Sequence, residues 1–221
     1  MVFFVWAAKG GSGATVTSVA LASTLARSSG QDVLLVDFAG DLPAAIGIAE
    51  PRHGLTDWLS APGAPPVEAL GRLEVSRSGL SILARGEAVE WSASRERELI
   101  GFLMTTQRLV VIDGGVVRAS PVSALDRLAS ASLDASDRSV LVARSCYLGL
   151  RRAIACGRRT DCVVLVREPG RVMGAADVRA VLTVEHIVEV DLDPLLARSV
   201  DSGLLADRGY RLLSRSLRRV A

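Results

Sequence analysis

Six short apolar runs, broken only by Glu189 in the last, constrain this chain more than any other feature: Val2–Ala8, Val33–Val36, Leu109–Ile112, Val140–Ala143, Val163–Val166 and Ile187–Val190. A strand with one wet face alternates apolar and polar residues. A run without alternation is buried on both faces, which is the condition of a strand inside a parallel sheet. Between the runs lie stretches with helical apolar spacing, among them Thr15–Ser28, Ser94–Thr106, Leu148–Gly157 and Ala175–Leu182. This alternation predicts an α/β fold of three layers, doubly wound, with a mainly parallel sheet flanked by helices and ligands at the carboxyl ends of the strands. Leu73–Val75 and Leu80–Leu83 read as an antiparallel edge pair beyond the loop Ala61–Pro66. At 221 residues one hydrophobic core suffices, so 1–221 is read as a single domain ending in a basic helix at about 207–219.

Composition excludes several alternatives. With 49% apolar and 23% charged residues the chain is far from the disordered regime. Aromatic residues at 4% argue against a stacking surface for bases, and a net charge of +2 neither indicates nucleic acid as a partner nor excludes it. Cys146, Cys156 and Cys162 fit no common zinc or C-x-x-C spacing and read as reduced thiols. Met1–Ala8 has no basic flank and runs straight into a glycine loop, unlike a signal peptide, and no apolar stretch is long enough for a spanning helix. A cytoplasmic protein is expected.

The first apolar run ends in A-K-G-G-S-G-A-T, Ala8 to Thr15, and a helix follows at once. Strand, glycine loop and helix together make a phosphate site. Gly10, Gly11 and Gly13 admit backbone conformations closed to other residues and let anion oxygens approach the loop N–H groups. The helix that begins near Ala14 adds its positive end.

The loop resembles the deviant Walker A motif of the ParA/MinD family, K-G-G-x-G-K-[ST], with Lys9 at the signature lysine and Ala14 in place of the second lysine. The segment V-L-L-V-D-F-A-G-D-L-P-A-A-I-G, Val33 to Gly47, is similar to the family's second strand and switch region; Asp37 keeps the first carboxylate of D-x-D and Ala39 replaces the second. L-V-V-I-D-G, Leu109 to Gly114, looks like Walker B with Asp113 as its carboxylate. Asp191 to Leu205 resembles the family's late D-P-x-x-x-x-A-x-x-x-G-L-L segment. An asparagine that reads adenine in the family is replaced by Val166 and Arg167. The matches run from residue 1 to about 205.

The resemblance implies ATP or ADP with Mg²⁺ as ligand. The loop residues Lys9, Gly10, Gly11, Ser12, Gly13, Ala14 and Thr15 would hold phosphate, and Thr15, Asp37 and Asp113 the metal. Lys9 would act across a homodimer interface; Lys9 and Asp37 are the catalytic candidates if the protein is active. A lysine lost at position 14 and a carboxylate lost at 39 imply little or no hydrolysis. The implied role is a positioning or partner-binding scaffold in chromosome segregation, division-site placement or pilus assembly, as in degenerate TadZ/CpaE-like or actinobacterial ParA-like members. The alternative is an active ATPase with a rearranged site, in which Arg118 or Arg144 supplies the missing charge and Asp41, otherwise an N-cap or turn residue, the missing carboxylate. A protein partner is expected. Residues 208–221 set arginines beside Leu212, Leu213, Leu217 and Val220, which suits either packing on the sheet or peripheral contact with the inner membrane face, and the few apolar positions favour packing.

Overall fold

A computed structural model describes residues 1–220. From the start, β1 (Val2–Ala7) leads through the glycine loop into α1 (Ala14–Ser29), followed by β2 (Val33–Asp37), α2 (Leu42–Ile46) and α3 (Leu55–Ser60). A 3₁₀ turn (Val67–Arg72), β3 (Val75–Arg77), β4 (Leu80–Leu83), α4 (Ala93–Thr105), β5 (Leu109–Val116) and α5 (Ala124–Ala135) come next. The chain continues through β6 (Arg138–Arg144), α6 (Tyr147–Cys156), β7 (Cys162–Arg167), α7 (Ala175–Leu182), β8 (His186–Asp191) and α8 (Pro194–Asp201). A π-helical turn (Leu205–Gly209) leads into α9 (Tyr210–Leu217).

The eight strands form one sheet in the order β3-β4-β2-β5-β1-β6-β7-β8, parallel throughout except for β3. The expected antiparallel pair is present at the edge of the sheet. β3 runs antiparallel to β4, but β4 pairs parallel with β2 inside the sheet. β3 starts at Val75 because Leu73 closes the preceding turn, its N–H donating to the Leu70 carbonyl at 2.9 Å.

Every residue of β1 and β2 is buried, as their unbroken apolar runs require. Side-chain alternation still decides which layer each residue enters. Phe4 and Trp6 face the layer that includes Trp58, Leu99, Leu128 and Leu150, from α3 to α6. Phe3 and Val5 face Val19, Leu21, Ile46 and Leu213, from α1, α2 and α9. The Trp6 indole N–H donates to Ser139 Oγ on β6 at 2.9 Å, which satisfies the one polar group that this tryptophan takes into the core.

Local signals set the helix ends. Ser123 opens α5 by accepting from Asp126 N at 3.0 Å, and Asp193 opens α8 by accepting from Leu195 N at 2.8 Å with Pro194 in the first turn. α9 packs on α1: Leu213, Leu217 and Val220 are buried, and the Tyr210 ring lies 4.6 Å from the Arg27 guanidinium carbon. Its apolar side is therefore spent on the core, with Leu212 left partly exposed. Ala221, the last residue of the expected basic stretch, lies outside the described residues. No helix among them is long and apolar enough to cross a membrane.

β5 carries the irregularity that matters most. Its register with β1 runs Val5 to Asp113 and then Ala7 to Val116, so Gly114 and Gly115 form a bulge directly after Asp113. A Cβ on Gly114 would collide with the ring of Phe4, which is fully buried. Gly114→Ala is expected to destabilise the protein by about 1–3 kcal/mol in urea unfolding, because the core has no room to yield. Gly101→Ala, on the exposed side of α4 with open space around it, should be neutral or stabilising.

Candidate functional site

The glycine loop sits at the carboxyl end of β1, the strand flanked by β5 and β6 where the chain winds in both directions across the sheet. Ser12 is buried and its hydroxyl donates to the Lys9 carbonyl at 2.7 Å, which closes the loop on itself. Gly13 caps α1 with φ 99°, a left-handed conformation that turns the chain sharply into the helix. α1 runs sixteen residues with no acidic residue in its first turn, so its N-terminal charge is uncompensated. A cavity of about 420 Å³ lies over this loop, lined by Lys9 to Val16 together with Ala39, Asp41, Arg85 and Gly115.

Asp37 and Asp113 are register partners on β2 and β5 and both are fully buried, so they lie beneath the cavity rather than on its wall. Asp37 closes the turn after β2, accepting from Gly40 N at 2.6 Å and Leu42 N at 3.3 Å. Asp113 accepts from Gly115 N at 3.3 Å through Oδ1 alone; its Oδ2 is buried without a hydrogen-bond partner. Burial pushes Asp37 up to about 6, against its backbone hydrogen bonds and the Arg85 charge. Burial and then the neighbouring Asp37 push Asp113 up to about 7, and the Thr15 and Ser18 hydroxyls offset this only in part.

A buried carboxylate oxygen without a partner fits a divalent cation. Asp113 Oδ2 and the Thr15 hydroxyl are the residues that fit Mg²⁺ here. Asp37 fits less well, because its oxygens already hold the turn. No cluster of three or more His, Cys, Asp or Glu side chains among the described residues is arranged to hold a metal alone. A magnesium ion at this place would depend on phosphate oxygens and water for most of its ligands.

The other expected residues separate. Lys9 is half-buried and lines both the cavity and an adjoining groove that includes Arg118 and Arg152. Ala14 is buried at the first turn of α1, with only a methyl group where a lysine would reach phosphate. Arg118 is turned to Asp126 at 3.7 Å, and Arg144 is bonded to Glu168 at 2.6 Å, so neither lines the cavity over the loop. Asp41 does line it and makes no side-chain cap to α2. Arg85, two residues past β4, enters the same cavity and was not among the expected residues. Its only sequence signal is its place after an apolar run; that this run pairs with β2 was not readable.

On the far flank of the loop lies a second cavity of about 200 Å³, lined among others by Gly13, Arg144, Val166, Asp191, Leu196 and Leu213. Val166 lies in this cavity, whereas Arg167 reaches Glu189 at 3.3 Å.

The raised carboxylates link stability to pH. Between about pH 4 and pH 7 the native state keeps protons that the unfolded chain has released, so the pair's contribution falls as pH rises and levels off above about 7. Asp113→Asn removes the larger share. It should raise the melting temperature at pH 8 and flatten its dependence between pH 4 and 7, with a change on the order of a few kcal/mol across that window. An unchanged pH profile in thermal melts would show that Asp113 is ionised in the native protein throughout.

No protein-family model matches the chain, and no curated protein sequence matches it. Solved structures do. The septum site-determining protein MinD of Pyrococcus horikoshii, complexed with Mg-ADP, superposes with a TM-score of 0.75 at 18% identity, covering 99% of this chain and 95% of that one. A chain of the MinC:MinD cell division protein complex of Aquifex aeolicus gives 0.77 at 19% identity, with 99% and 94% covered. A ParA family ATPase of Chlorobium tepidum gives 0.76 at 16% identity, with 98% and 95% covered. Likeness over nearly the whole of each chain at so low an identity is likeness of architecture: this chain has the P-loop fold of the MinD and ParA structures.

Proposed function

We propose that this chain is a degenerate ParA/MinD-type protein that binds ADP or ATP with Mg²⁺ weakly, hydrolyses it little or not at all, and acts in the cytoplasm as a positioning scaffold for a protein partner. One observation carries the reading: a glycine loop and helix N-terminus stand over a buried carboxylate with one unpartnered oxygen, while the first helical turn offers a methyl group in place of an ammonium. The first half of that arrangement binds a metal-bound polyphosphate. The second half lacks the charge that stabilises a transferring phosphoryl group.

Bound nucleotide would place its phosphates against the N–H groups of residues 10–15 and its metal between Thr15 and Asp113. The metal would supply charge neutralisation at the phosphates. The apolar cavity beyond Gly13 would seat the base, with Arg144 and Asp191 as its polar groups. Lys9, which forms no ion pair among the described residues, would reach a second copy's phosphates and so tie dimerisation to nucleotide. Two solved neighbours give the precedents, one holding Mg-ADP and one from the MinC:MinD complex. Chromosome segregation, division-site placement and pilus assembly are the processes that such scaffolds serve.

Asp41 supports the second reading, an active ATPase with a rearranged site. Its side chain lines the cavity and makes no helix cap, so it is free to hold a water.

Calorimetric titration with Mg-ADP and Mg-ATP should give saturable binding in the micromolar to millimolar range, with phosphate release at background. Ala14→Lys should tighten binding by about tenfold, since it restores a charge-assisted contact to phosphate. Rapid phosphate release by the unmodified protein, abolished by Asp41→Asn, would establish the enzyme instead. Absence of binding at millimolar nucleotide would remove nucleotide from the function altogether.

A further inference from the structure

We propose that Arg85 is the cation that receives the polyphosphate in this chain, in place of the lysine absent at position 14; the proposal rests on nucleotide binding at the glycine loop. Arg85 follows β4, and the strand order β4-β2-β5-β1 brings the loop after β4 over the turn that closes β2. Its Nη1 donates to the Ala39 carbonyl at 2.6 Å. Gly40, at φ 91°, lies directly against the guanidinium, and a Cβ there would collide with it. The side chain is thus held by one backbone acceptor and a glycine seat, half-buried, in the wall of the cavity over the phosphate loop.

Arg85 has no ion-pair partner among the described residues. Arg95, Arg144 and Arg159 are each paired with an acid, and Arg108 with two. A guanidinium carries five N–H donors, and a single bond to Ala39 leaves the others to a ligand. The fork suits phosphate, where it can bond through two parallel N–H groups. Lys9 and Arg85 are the only cationic side chains lining this cavity among the described residues, one from the loop after β1 and one from the loop after β4.

The residue at position 39 explains why the arginine is available. A carboxylate there would add a negative charge to the cavity that Arg85 lines, whereas Ala39 brings only its carbonyl to the guanidinium and a methyl group that faces Gly115. The missing cation at 14 and the missing anion at 39 have opposite sign. With both gone, Arg85 restores positive charge to the cavity from the opposite wall, and the loop keeps its affinity for an anion without an ammonium in α1.

The test is calorimetry of Mg-ATP, Mg-ADP and inorganic triphosphate at two salt concentrations, on the unmodified protein and on Arg85→Ala, Arg85→Lys and Ala39→Asp. Arg85→Ala should weaken all three ligands by about tenfold or more and reduce the salt dependence of binding. Arg85→Lys should recover part of the loss, because it returns the charge without the fork. Ala39→Asp should weaken the same ligands by setting a negative charge in the cavity that Arg85 lines. If Arg85→Ala unfolds in circular dichroism, Ala39→Asp and Arg85→Lys carry the comparison. Binding by the Arg85→Ala and Ala39→Asp variants within twofold of the unmodified protein overturns the role of Arg85 and leaves nucleotide binding standing. Absence of binding of every ligand by the unmodified protein overturns both.

Discussion

The parallel pairing of β1 with β5 on one side and β6 on the other is the constraint from which the rest of the site follows. A strand bonded on both edges and buried on both faces cannot shift by one residue without moving Phe4 and Trp6 into the wrong layer. Its carboxyl end is therefore fixed, and so is the loop that leaves it. α1 must then start over the ends of β1 and β5, which places Thr15 and Ser18 beside Asp113. The bulge at Gly114 and Gly115 ends the regular pairing with β1 at that carboxylate.

Electrostatically the site is an uncompensated arrangement. Two carboxylates share a register position in a buried sheet end, and neither is paired with a basic side chain at hydrogen-bond distance. One is quieted by backbone N–H groups; the other keeps an oxygen with no partner. Such a group costs stability unless a proton or a cation joins it. Above it, the helix terminus, Lys9 and Arg85 make the opposite field. Positive groups over a buried acid attract a ligand that carries both signs, and a magnesium polyphosphate is one.

Much of this was legible in the residues. Unbroken apolar runs marked the buried parallel strands because a strand with no wet face needs no polar residues; β8, whose run is broken by Glu189, lies at the sheet edge and is buried only in part. The glycines at 10, 11 and 13 marked the loop because left-handed backbone and close anion approach exclude a Cβ. Asp37 and Asp113 were recognisable as the acids that end apolar runs, although their burial beneath the cavity was not, since depth depends on what α1 and the β2 turn lay over them. The edge pair was legible, whereas the parallel bond of β4 to β2 was not, because Leu80, Ile82 and Leu83 are compatible with either strand direction. Arg118 and Arg144 looked suitable as cations by their sequence positions, yet Asp126 and Glu168 hold them, and those partners sit eight and twenty-four residues away.

The sequence by itself determined the layered α/β architecture, the phosphate loop and the absence of a lysine at its usual place, because periodicity, glycine and side-chain identity are local properties. Tertiary structure alone decided which arginine enters the cavity and which end in ion pairs, and whether the last helix spends its leucines on the core. Those outcomes depend on distances between residues far apart in the chain, and such distances are set only when the sheet order brings β4 beside β2 and α9 against α1.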